Sequence, residues 1–96
     1  MKLYKIYQNV NNDYDTYDSA VVCADSEEDA KKICPDSFFE IGENNKWFFV
    51  YHDGTKKEQD TRLFSWCKYE DVQITYLGES SEDVEEGVVV SSFNAG

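Results

Sequence analysis

The sequence predicts an α+β fold: a single domain, residues 1–96, built on a mostly antiparallel sheet of four to six strands with one short helix packed on a face. Three observations predict it. Short runs of alternating or β-branched residues recur along the chain, the mark of strands. Only one segment, starting at Ser26, carries both a capping and a stop signal for a helix. Clusters of Asn, Asp and Gly separate the runs, and an antiparallel sheet with a helix on one face is the economical packing of the resulting β-β-α-β-β-β-β order.

Residues 2–9 alternate, with Tyr4, Ile6 and Gln8 on one side and Leu3, Lys5 and Tyr7 on the other, which reads as the first strand. Residues 11–18 read as a loop, because Asn and Asp side chains compete for backbone hydrogen bonds and tolerate turn geometry. Ala20-Val21-Val22-Cys23 sits in a short buried strand, residues 19–24. Ser26 then caps a helix, with Asp29 completing an approximate capping box. Glu27, Glu28 and Asp29 lie at the positive end of the helix dipole, and Lys31 and Lys32 lie nearer the other end. Ala30, Ile33 and Cys34 give an apolar stripe, and Pro35 ends a helix expected to run two to three turns.

Beyond the helix, residues 38–41 and 47–51 flank Gly42-Glu43-Asn44-Asn45 as a hairpin. His52-Asp53-Gly54-Thr55 is a turn signal and residues 56–61 are polar. Leu63, Phe64, Trp66 and Tyr69 return to the core, with a short helical turn near Tyr69-Glu70-Asp71. A strand over residues 72–77, closed by Gly78, leads into an acidic loop, residues 79–86, with five carboxylates in eight positions. Residues 87–93 form the last strand, and one that ends on Phe93 is expected to be tied down.

Ninety-six residues hold one core, and seven Tyr, six Phe and two Trp supply much of its apolar area. The balance of 20 acidic to 9 basic residues, a net charge of −11, opposes direct contact with nucleic acid or anionic lipid and favours a basic partner. Cys23, Cys34 and Cys67 are odd in number and without a CxxC pair, which argues against a disulfide framework. The first residues lack the apolar stretch of a signal peptide, and the longest apolar run, residues 47–51, is far short of a membrane helix. Free thiols in a cytosol, with no membrane association, are therefore expected.

The residues offer no catalytic or metal signature, and no cofactor is expected. Asn11, Asp13 and Asp15 have the opening spacing of a calcium loop, but its sixth and twelfth positions need Gly and Glu, and Thr16 and Val22 stand there. Zinc needs four placed ligands, against three scattered Cys and the single His52. None of the thiols lies at a helix N-terminus, where a thiolate would be stabilised. Glycine-rich phosphate motifs are missing, and Lys56, Lys57 and Arg62 form the only basic cluster outside the helix. The chain therefore reads as a binding protein and not an enzyme. Its candidate binding residues are Asn11, Asn12, Asp13, Tyr14, Asp15 and Tyr17, where tyrosine adds a stacking face and a hydroxyl to amides and carboxylates, together with Phe93 and Asn94 near the C-terminus. Glu79, Glu82, Asp83, Glu85 and Glu86 form the candidate acidic patch.

The stretch Val10-Asn11-Asn12-Asp13-Tyr14-Asp15-Thr16-Tyr17-Asp18-Ser19-Ala20-Val21-Val22, the helix start Ser26-Glu27-Glu28-Asp29-Ala30, Tyr69-Glu70-Asp71-Val72, and the ending Ser92-Phe93-Asn94-Ala95-Gly96 resemble a widespread group of small phage and prophage proteins. The resemblance covers both ends of the chain and leaves out residues 38–64. It implies a viral setting, hence the bacterial host cytosol during infection, and supplies no catalytic residues. In that setting the expected function is non-enzymatic inhibition of a bacterial antiviral defence. The chain would bind a defence protein such as a CRISPR nuclease complex, its acidic surface meeting a basic one. Two alternatives stand beside it: a sponge for a small nucleotide immune signal, whose pocket a homo-oligomer could build, and a phage accessory or structural domain.

Overall fold

The alternation of residues 2–9 is realised as β1 (Lys2–Tyr7), in which Tyr4 and Ile6 are buried while Lys2 and Lys5 stay exposed. The structure, a computed structural model of the chain, describes residues 1–12, 14–59 and 64–94. β1 pairs antiparallel with β2 (Thr16–Ala24) on one side and with β6 (Gln73–Glu79) on the other. β7 (Gly87–Asn94) adds antiparallel to the free side of β2, giving a four-stranded sheet in the order β6-β1-β2-β7. A second, three-stranded antiparallel sheet consists of β3 (Phe39–Ile41), β4 (Trp47–Val50) and β5 (Lys56–Glu58). The expected single α+β domain is the observed one, with its strands divided between two sheets.

One face of the larger sheet supplies the core. Tyr4, Ile6, Ala20, Val22 and Ala24 meet Ala30 of α1 (Glu27–Lys31), Cys34, Trp47 of the smaller sheet, and Phe64, Trp66, Cys67 and Val72. Ser26 caps α1 as its sequence predicts, its hydroxyl accepting from the Asp29 N–H at 3.2 Å. The helix is shorter than expected. The Lys32 and Ile33 N–H groups bond to the Asp29 and Ala30 carbonyls, a three-residue spacing that tightens the last turn ahead of Pro35. Trp47 ties the smaller sheet to the segment that precedes the Tyr69 turn, its indole N–H donating to the Cys67 carbonyl at 2.9 Å.

Other boundaries also move. β2 starts at Thr16, not residue 19, so the loop before it is narrower than its Asn and Asp content suggests. β6 runs through Gly78 instead of stopping there, because the register skips Leu77 as a bulge and Gly78 takes a φ of +143° that other residues rarely adopt. The polar residues that follow the turn include β5, a strand the sequence reading does not contain. It pairs with β4 and carries two ion pairs, Lys56 with Glu40 of β3 and Glu58 with Lys46 just before β4. The short helical turn read at Tyr69-Glu70-Asp71 is present as a single turn of 3₁₀ helix. Leu63, Arg62, Asp13, Ala95 and Gly96 lie outside the described residues.

Candidate functional site

The amide-rich loop is built around a residue that sequence reasoning did not single out. Gln8 continues the buried side of β1 past its end and is itself only 5% exposed. Its carboxamide makes four hydrogen bonds: Nε2 donates to the Asn11 and Tyr17 carbonyls, and Oε1 accepts from the Val10 and Asn11 N–H groups. That exhausts its capacity. Asn11 then reaches across the molecule, its Nδ2 donating to the carbonyls of Phe64 at 2.7 Å and Trp66 at 2.8 Å. Asn12 bonds weakly to Asn9, at 3.5 Å. Asp15 has a left-handed φ of +61°, which Asp tolerates, and its N–H donates to the Asn94 carbonyl. Tyr17 pairs with Phe93 across β2 and β7, with ring centroids 4.8 Å apart.

The fold therefore brings Asp15, Tyr17, Phe93 and Asn94 to one end of the sheet, although their two segments lie at opposite ends of the chain. They are not equivalent there. Asn11 is committed to two backbone carbonyls. Tyr17 packs on the core as well as on Phe93, and burial with the nearby Asp36 and Cys34 raises its phenol pKa. Tyr14, by contrast, is 76% exposed and is the aromatic ring this loop offers to solvent. Asp13 lies outside the described residues.

The acidic patch occupies the opposite kind of environment. Glu79 is the last residue of β6 and lies across from Lys2. Glu82, Asp83, Glu85 and Glu86 follow in the connection to β7, all exposed. Among the described residues none of these five takes part in an ion pair; the pairs that form join Lys32 to Glu28, Lys46 to Glu58 and Lys56 to Glu40. Gly78, next to last in β6, and Gly87, first in β7, flank the connection, and their positive φ values of 143° and 132° let the backbone turn out of one edge strand and into the other. It is anchored by Ser80, whose N–H and hydroxyl both donate to the Met1 carbonyl, and by the Cys23 thiol, 3.9 Å from the Val84 carbonyl.

β7 leaves this connection as an edge strand. Val88, Val89, Val90 and Phe93 are exposed, and the strand contains no charged residue. In the edge strands of stable proteins, charges and prolines usually discourage pairing with other chains.

The remaining constellations hold little chemistry. Cys23, Cys34 and Cys67 are free and buried. Burial raises the Cys34 thiol strongly, and burial together with Asp71 pushes Cys67 up to about 12. Neither supplies a thiolate near neutral pH. His52 is exposed in the turn before β5. Among the described residues no three His, Cys, Asp or Glu side chains gather where a metal ion could sit. A cleft of about 700 Å³ opens between the smaller sheet and the 3₁₀ turn at Tyr69. Sequence reading did not find it. Its lining mixes Lys46 and Lys68 with Glu58, Glu70 and Asp71, so it presents no net positive field to a phosphate. No helix among the described residues is long and apolar enough to cross a membrane. No family model matches this chain, and neither a curated protein nor a solved structure shows significant similarity to it.

Proposed function

We propose that this chain is a phage-encoded, non-enzymatic inhibitor of a bacterial antiviral defence, acting by occupancy of a defence protein such as a CRISPR nuclease complex. One observation carries the reading: a run of exposed carboxylates, unpaired among the described residues, adjoins an exposed and uncharged edge strand. Acidic groups in that state attract a basic surface at long range, and the apolar strand beside them offers contact area once the partner arrives. The viral setting comes from the resemblance of the two ends of the chain to small phage proteins. The test is to express the chain in bacteria carrying a CRISPR defence and challenge them with a targeted phage. Restored plaque formation, with the nuclease complex co-purifying at low salt and released at high salt, is the expected result. Full immunity with no salt-sensitive co-purification would remove the proposal.

A second reading, sequestration of a small nucleotide signal, has one observation in its favour: the exposed Tyr14 ring stands beside the junction of Asp15 with Asn94. A stacking face alone binds a base weakly, and the carboxylates around it repel the phosphate. Chain purified from infected cells with an absorbance shifted toward 260 nm would favour this reading over the first.

A further inference from the structure

The larger sheet has two edges, β6 and β7, and they are not alike. β6 carries Gln73 and Glu79 and is interrupted by the skipped Leu77. β7 is uncharged over its whole length, in a chain where 30% of residues are charged. Its register skips Val89, a bulge that twists the first part of the strand, but from Val90 to Phe93 no residue of β7 is skipped. The Asn94 carbonyl accepts from Asp15, on the β2 side. Since backbone groups alternate along a strand with period two, the N–H groups of Ser91 and Phe93 face away from β2. An extended segment laid along residues 90–93 finds these groups waiting, with exposed Val90 on one face and exposed Phe93 on the other.

We propose that β7 is a strand-addition site, and that its occupant is an extended, β-forming segment of a partner protein with a cluster of Lys or Arg just C-terminal to it. The direction follows from charge complementarity. Antiparallel pairing is the stronger mode and the only one in this sheet. It sets the C-terminal end of the added segment near the start of β7, where Glu85 and Glu86 are exposed. Basic residues there meet unpaired carboxylates; basic residues at the other end of the segment do not. The same charges argue against a second copy of this chain. Antiparallel self-pairing of β7 would bring the Glu85 and Glu86 end of one copy to the Asp15 end of the other, between two molecules each carrying −11.

This rests on the reading of the chain as a protein-binding module, and its test needs no natural partner. The probe is a synthetic peptide of alternating valine and threonine with arginines at its C-terminal end, titrated into the full chain by fluorescence anisotropy. A control peptide carries the arginines at its N-terminal end. The C-terminal version should bind roughly tenfold more tightly, equivalent to about 1.4 kcal/mol. Ser91→Pro, which removes an outward N–H without touching the β2 ladder, should weaken binding by a similar factor. Val90→Glu provides a second variant if the proline variant fails to fold. It adds negative charge, so charge attraction alone would tighten binding, whereas strand addition predicts weakening. Equal binding of the two peptides, or tighter binding to Val90→Glu, overturns the proposal. So does a concentration-dependent dimer of the chain alone that Ser91→Pro abolishes, which would assign the edge to a second copy. Defence inhibition that survives Ser91→Pro would leave the proposed function standing and remove only the strand-addition site.

Discussion

Two connections in this molecule are rich in polar side chains, and the fold uses them in opposite ways. Residues 8–15 spend their amides on the protein itself: Gln8 makes four hydrogen bonds, and Asn11 holds two carbonyls more than fifty positions away in the chain. Residues 80–86 are anchored through Ser80 and the Val84 carbonyl, but their carboxylates stand in solvent with no ion pair among the described residues. An amide is neutral, so burying it with its partners satisfied is inexpensive; a carboxylate buried without a cation is not. Polar density alone therefore does not leave a surface available to a partner; polarity that the fold does not consume does.

The largest effect that would break this comparison is on stability. Gln8→Ala leaves the Val10, Asn11 and Tyr17 backbone groups without their partner and should destabilise the chain by about 3 kcal/mol in denaturant unfolding. Asn11→Ala should cost about 2 kcal/mol by exposing the same dependence at the Phe64 and Trp66 carbonyls. A loss below about 0.5 kcal/mol for both would show that the loop is not pinned.

The pinned end should also respond to alkali. Cys67 follows the carbonyl that Asn11 holds, and its thiol is raised from 9.0 to about 12 in the folded chain; Cys34 is raised in the same direction. Above pH 9 the unfolded chain loses these protons and the folded chain keeps them, so the unfolded state binds fewer protons and stability falls as pH rises. The melting temperature should decline from pH 9 towards 12, and Cys34→Ala with Cys67→Ala should flatten that decline while lowering the starting value. A flat profile in the parent chain would contradict the burial of these thiols.

The smallest effects belong to the uncommitted groups. Changing Glu82, Asp83, Glu85 and Glu86 to their amides should move stability by less than about 0.5 kcal/mol, because surface substitutions away from caps and buried networks rarely do more. Tyr14→Ala should be as quiet in a thermal melt, whereas Tyr17→Ala, which strips the ring packed on Phe93 and the core, should not.

The elements legible in the sequence were those with a local cause. Tyr4 and Ile6 alternate with exposed neighbours, Ser26 precedes its acidic turn, and Tyr69-Glu70-Asp71 forms the short turn read there. β5 has no local signal because Lys56-Lys57-Glu58 has no apolar period at all, and its ion pairs with Glu40 and Lys46 exist only once β4 lies beside it and β3 lies beyond β4. The nucleotide-sponge reading already puts the Tyr14 and Tyr17 loop at one pocket with Phe93 and Asn94; the strand pairing that brings Asp15 and Tyr17 to Asn94 and Phe93 comes from the register of β2 on β7, which neither segment shows alone. The role of Asn11 could not be read, since the carbonyls it holds are fixed by tertiary packing. Gln8 did leave a signal: it is a polar residue continuing the buried stripe of Tyr4 and Ile6, where only a fully satisfied amide belongs.

Under the proposed function the uncommitted carboxylates between β6 and β7 attract the partner, and the salt dependence of binding to the defence complex reads that attraction out. For the parent chain the logarithm of the binding constant should fall steeply as salt rises, and for the chain with amides at 82, 83, 85 and 86 it should be weak at low salt and nearly flat. Superimposable salt curves for the two proteins would contradict the account.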